Sequence, residues 1–76
     1  MEKYWIKIGS PDPQVQTFGG EYKARSTKQL KEMILDQIEN LWPINSSKEG
    51  AEEYRNRFRG KKIFAIKQGE KEYKEI

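Results

Sequence analysis

Neither cysteine nor histidine occurs in this sequence of 76 residues. Without cysteine there is no disulfide, no thiolate nucleophile and no thiolate–metal site to reinforce a small core. Without histidine there is no imidazole base, no Ser-His-Asp triad and almost no route to a zinc centre. The remaining groups able to do acid–base or nucleophilic work are Ser, Thr, Tyr, Lys and carboxylates, and their spacing shows no paired geometry. A chain this short also rarely encloses a cleft of ~300 Å³. The sequence therefore reads as a non-enzymatic protein with no catalytic residue, no cofactor and no bound metal.

Hydrophobic residues are scarce as well: 34% of the chain against 36% charged, with a mean hydropathy of −1.06. Periodic apolar positions are therefore assigned to the interior. No run reaches the ~18 apolar residues of a membrane span, and Met1-Glu2-Lys3-Tyr4-Trp5 lacks the apolar stretch of a secretion signal. The expectation is a cytoplasmic protein with no membrane contact. Because a chain of this length buries only ~60% of its unfolded surface, residues 1–76 are expected to form one compact domain around one core. There is no internal repeat and no low-complexity tract.

What the sequence does contain is periodicity. Tyr4, Ile6 and Ile8 alternate with Lys3, Trp5 and Lys7, the two-residue period of a strand. Ser10-Pro11-Asp12-Pro13 ends it, since the two prolines withhold N–H donors from a sheet. A second extended stretch, 15–25, runs through Phe18, Tyr22 and Ala24. Gly19-Gly20 within it reads as a bulge or a tight turn, with the bulge favoured. Ser26-Thr27-Lys28-Gln29 is a capping box. It opens a helix whose stripe Leu30, Met33, Ile34, Ile38, Leu41 and Trp42 marks one apolar face, stopped by Trp42-Pro43. Ser46-Ser47-Lys48-Glu49 is a second box, starting a helix with Ala51, Tyr54 and Phe58 inward and Gly60 as a left-handed cap.

Residues 61–76 read as a hairpin turning at Gly69-Glu70, with Ile66 opposite Tyr73 and Lys67 opposite Glu72. The fold class is thus α+β: a small single-layer antiparallel or mixed sheet in ββααββ order, with the long helix packed on one face. The succession of hairpin, helix and strands is similar to a β-grasp layout, an architecture that hosts many functions.

Charge is uneven. The segment 54–62 holds Arg55, Arg57, Arg59, Lys61 and Lys62 and no acid, so the rest of a chain with net charge +3 is net negative. Guanidinium suits bidentate phosphate contact, and Arg55 and Arg59, four apart on a helical face, read as exposed. Cations also belong at a helix C-terminus, so the cluster reads equally as helix capping. Glu32, Asp36 and Glu39 form an acidic stripe that reads as a solvated face or a contact for a basic partner or divalent ion.

The first strand offers two facings. With Tyr4, Ile6 and Ile8 inward, Trp5 lies between Lys3 and Lys7 on the other sheet face, the arrangement on which RNA-binding sheets stack bases. The inverse puts Trp5 in the core, the commoner fate of a tryptophan. Two partner classes follow. One is nucleic acid, RNA or DNA, bound through phosphate by Arg55, Arg57, Arg59, Lys61 and Lys62 with Lys3, Trp5 and Lys7. The other is a protein partner, as for a small phage or mobile-element inhibitor or an assembly subunit, met through sheet edges and the mixed-charge helix.

Overall fold

The computed structural model describes residues 1–41 and 47–76. Four strands and two helices follow in the order β1 (Glu2–Ile8), β2 (Tyr22–Ala24), α1 (Thr27–Glu39), α2 (Lys48–Asn56), β3 (Ile63–Lys67) and β4 (Lys74–Glu75). They build one sheet in the order β2-β1-β3-β4, antiparallel at every junction. The fold is α+β in ββααββ order, and of the two sheet types this order allows, the antiparallel one is realised. No helix among the described residues is long and apolar enough to cross a membrane.

α1 begins where the capping box places it. Ser26 is extended (φ −152°, ψ 164°), and its hydroxyl accepts from the Gln29 N–H at 3.2 Å. The Gln29 amide oxygen accepts from the Arg25 N–H at 2.7 Å, one residue ahead of the cap. The helix ends at Glu39, short of the expected stop at Trp42-Pro43, a pair outside the described residues. Asn40 accounts for the early end, because its side-chain amide and its backbone N–H both donate to the Asp36 carbonyl. A polar side chain that bonds the backbone this way competes with the helical ladder. At α2 the cap is Ser47, whose hydroxyl accepts from the Gly50 N–H at 3.1 Å. The pairing expected from Ser46 rests on a residue outside the described set.

Leu30, Ile34 and Ile38 of α1 are buried against Tyr4, Ile6, Ala24, Ile63 and Ala65 of the sheet. The long helix therefore packs on one face, as its stripe predicts. The inward facing of β1 is the one with Tyr4 and Ile6 in the core, so Trp5 points the other way. α2 adds the buried Ala51, and past its end Phe58 meets Phe18 edge-on at 5.2 Å and Tyr54 at 5.4 Å.

Two strands are shorter than the pattern predicts. β2 covers three residues instead of 15–25, because Gly19 takes φ +69° and breaks the chain path instead of bulging it. Before that break the Phe18 N–H still reaches β1, donating to the Ile6 carbonyl at 2.7 Å. β4 covers two residues. Its register, Phe64 opposite Glu75 and Ala65 opposite Lys74, has the predicted offset and, continued, sets Ile66 against Tyr73. The turn is centred on Gln68-Gly69 and not on Gly69-Glu70: the Glu70 N–H donates to the Lys67 carbonyl at 2.9 Å, and Gly69 takes φ +95°. A positive φ at the third position is the type II geometry that glycine serves.

Candidate nucleic-acid interface

The basic run divides into two groups with different surroundings. Arg55 and Arg59, both expected to be exposed, are turned onto carboxylates of the chain, Arg55 nearly buried and Arg59 half-buried. The Arg55 side chain is only 11% exposed, and its guanidinium donates to the Leu41 carbonyl at 2.6 Å and to Glu52 at 2.7 Å. Arg59 grips both oxygens of Glu39, through Nε at 2.9 Å and Nη2 at 2.7 Å. Its Nη1 also donates to Glu52 and to Asn56. These charge-assisted bonds hold the Glu39 carboxyl below the usual carboxylate range, chiefly through Arg59, and the Glu52 carboxyl likewise through Arg55 and then Arg59. The same contacts raise the pKa of Arg59.

This clip brings cations to the C-terminal end of α1. The last turn of that helix has no basic residue of its own, and the cations that suit its negative end arrive from α2 and the turn after it. Glu39, read from the sequence as part of an acidic stripe, has its basic partner within the chain. No group of three or more metal-ligating side chains is gathered among the described residues.

The second group points outward. Arg57 lies 5.7 Å from the Tyr54 ring and is exposed, as are Lys61 and Lys62. Lys62 approaches Glu75 only to 3.9 Å, beyond hydrogen-bond range.

The sheet face away from the helices collects a different set. Strand alternation and register put Lys3, Trp5 and Lys7 of β1 on it, with Lys23 opposite Lys3, Ile66 opposite Trp5 and Phe64 opposite Lys7. Trp5, Phe64, Ile66 and Tyr73 are all half-buried, whereas Ile63 and Ala65, which alternate with them on β3, are buried. Lys7 is 7% exposed. Its ammonium donates to the Asp12 carbonyl at 2.9 Å and lies 4.8 Å from the centre of the Tyr73 ring, so it holds the proline loop against the sheet. Lys3 pairs loosely with Glu21 at 3.7 Å. Lys23 is exposed and has no carboxylate partner among the described residues. Its place opposite Lys3 was invisible in the sequence, because only the β1–β2 register brings the two together.

Two clefts flank these features. One, of ≈ 470 Å³, lies between Pro11, Pro13, Ile66 and Tyr73, beside the open sheet face. The other, of ≈ 610 Å³, runs between Phe18, Tyr22, Tyr54 and Phe58 on the helical side. A domain of this size was expected to lack such a space; residues 15–19 form one wall of it. Among the described residues no charged side chain lines this second cleft, and burial pushes the Tyr22 hydroxyl above its usual pKa.

The fold and surface together define a small α+β domain with one sheet face under α1 and the other free of helices, with the proline loop held against part of it. No protein-family model, no curated protein and no solved structure matches this chain.

Proposed function

We propose that the protein is a non-enzymatic nucleic-acid-binding module that takes the phosphate backbone on the open face of its sheet. The observation that carries this reading is the cross-strand pair Lys3 and Lys23 beside Trp5. Like charges directly opposite one another destabilise a sheet. Glu21 offsets this one only from the Lys3 side. A phosphate between the two ammonium groups would supply the missing negative charge. Lys62 adds a cation at the far end of that face, Arg57 and Lys61 are exposed elsewhere on the surface, and Arg55 and Arg59 act as structure.

A protein-binding module is the second reading, and β4 favours it, since it forms an outer edge of the sheet. That edge is two residues long and consists of Lys74 and Glu75, the charged, short design that discourages strand addition. The nucleic-acid reading is therefore preferred.

The test is binding to labelled oligonucleotides over a salt series. Each neutralised phosphate contributes about 0.7–0.9 to the slope of log affinity against log salt, so two or three contacts give a slope of about −2. Joint replacement of Lys3 and Lys23 by Glu should abolish binding at ~100 mM salt while the fold persists. If the wild-type protein binds no nucleic acid even at ~20 mM salt, where the Debye length is ~20 Å, the reading fails and the protein-partner reading replaces it.

A further inference from the structure

Resting on the nucleic-acid reading, we infer that the ligand is single-stranded and that Trp5 and Phe64 are the rings on which its bases stack.

The argument starts from the order of groups along the open face. At one end of β1 stand Lys3 and, across the strand boundary, Lys23. Trp5 is two residues on, and Phe64 is its diagonal neighbour on β3, because Phe64 faces Lys7 while Ile66 faces Trp5. At the far end the Gly9 N–H donates to the Lys62 carbonyl at 2.8 Å, which places Lys62 level with the end of β1. The Lys62 side chain shares the face of Phe64, since its ammonium reaches toward Glu75, the residue paired with Phe64. Cations thus bracket two aromatic rings along a track of ~20 Å, taking a rise of ~3.4 Å per strand residue. A track of that length accommodates the two or three bases that an open sheet stacks.

Each part of this pattern suits an unpaired strand. A single strand can turn its bases down onto a ring while its phosphates stay at the lysines, and stacking needs no particular base because every base has a π-face. A duplex offers no such base without unstacking, because its bases are already stacked on one another. It would meet the lysines, and the half-buried indole would find no free base face. The charge on the face also fits. Among the described residues Lys23 has no carboxylate partner, Lys3 and Lys62 are held at 3.7 and 3.9 Å from their carboxylates, and contacts that loose yield readily to a phosphate. Lys7, by contrast, is committed to Asp12 and Tyr73; it anchors the edge of the track without reaching the ligand.

The experiment compares a short labelled oligothymidylate, an oligouridylate of the same length and a blunt duplex, each titrated with wild-type protein, Trp5→Ala and Trp5→Phe at ~50 mM salt. The expected result is tighter binding of both single strands than of duplex, and a loss of roughly 10-fold or more on the single strands for Trp5→Ala. Duplex binding should be unchanged by that variant, which also shows that it is folded, and Trp5→Phe should recover most of the loss. Should Trp5→Ala unfold, the indole N–H resonance of Trp5 in labelled wild-type protein replaces it: a shift on adding the single strand and none on adding duplex supports the inference. Equal affinity for duplex and single strand, or a Trp5 ring indifferent to the single strand, overturns the inference and leaves the nucleic-acid reading standing. No binding of any of the three by the wild-type protein at ~20 mM salt ends both.

Discussion

Ile34 shows what one residue contributes when apolar side chains are few. It is fully buried at the middle of the α1 stripe, with Leu30 one turn before and Ile38 one turn after. Ile34→Ala removes three carbons from a site that a small core cannot collapse to fill, and should cost about 2–5 kcal/mol, a large share of the stability of such a domain. Urea denaturation followed by circular dichroism measures it, and a midpoint close to wild type would contradict the packing described. Gly69 is the opposite case, a residue valued for what it lacks. Its φ of +95° disfavours a Cβ, yet a Cβ built there meets nothing within 4 Å. The cost of Gly69→Val is therefore conformational and local, about 1–2 kcal/mol, with the rest of the fold undisturbed. Both residues were legible in the sequence, one from helical spacing and one from a turn between strands. Trp5 was not, because alternation alone defines two faces and leaves their assignment open. The choice is made by the helices, which reach only the Tyr4 and Ile6 side.

At the scale of elements, starts were easier to read than ends. Ser26 and Gln29 mark the start of α1 by hydrogen bonds within four residues, whereas its end depends on Asn40 competing for a carbonyl. The site was harder still, since the fate of each arginine depends on a contact made over a distance along the chain: Arg59 with Glu39, 20 residues apart. A run of five cations looks like one surface until folding brings carboxylates to two of them. The clip also carries a pH signature. Glu39 and Glu52 have their carboxyl groups held below the ordinary value of 4.5, so the stability they contribute is fully present above that value and is lost as the pH falls through their lower folded values. Arg59→Ala removes the principal cause for Glu39 and the second for Glu52. The melting temperature of the variant should therefore lie below wild type at neutral pH, and the gap should narrow as the solution is acidified below pH 4.5. A gap constant with pH would mean that Arg59 acts through packing alone. Arg55→Ala should cost more, about 1.5–3 kcal/mol, because its side chain is nearly buried and the Leu41 carbonyl loses a charged donor.

Over the whole molecule the two groups of basic residues do different work, and charge reversal separates them. Arg59 is placed where its charge is neutralised by carboxylates, so reversing it opposes Glu39 and Glu52 and weakens the hold between the ends of the two helices. Lys23 is placed where its charge is opposed by Lys3 and relieved by nothing else on its own side. Reversing Lys23 turns a like-charge cross-strand pair into an opposite-charge one, worth about 0.2–1 kcal/mol in a sheet. Lys23→Glu should accordingly raise the denaturation midpoint slightly while lowering nucleic-acid affinity, and Arg59→Glu should lower the midpoint. This is the pattern expected when a surface retains a locally unfavourable charge for binding, a trade of stability for function. Parallel denaturation and oligonucleotide titrations of the two variants decide it. If Lys23→Glu binds as tightly as wild type, the Lys3–Lys23 pair has no part in recognition. If it is instead less stable than wild type, the pair is not the strained contact that its register implies.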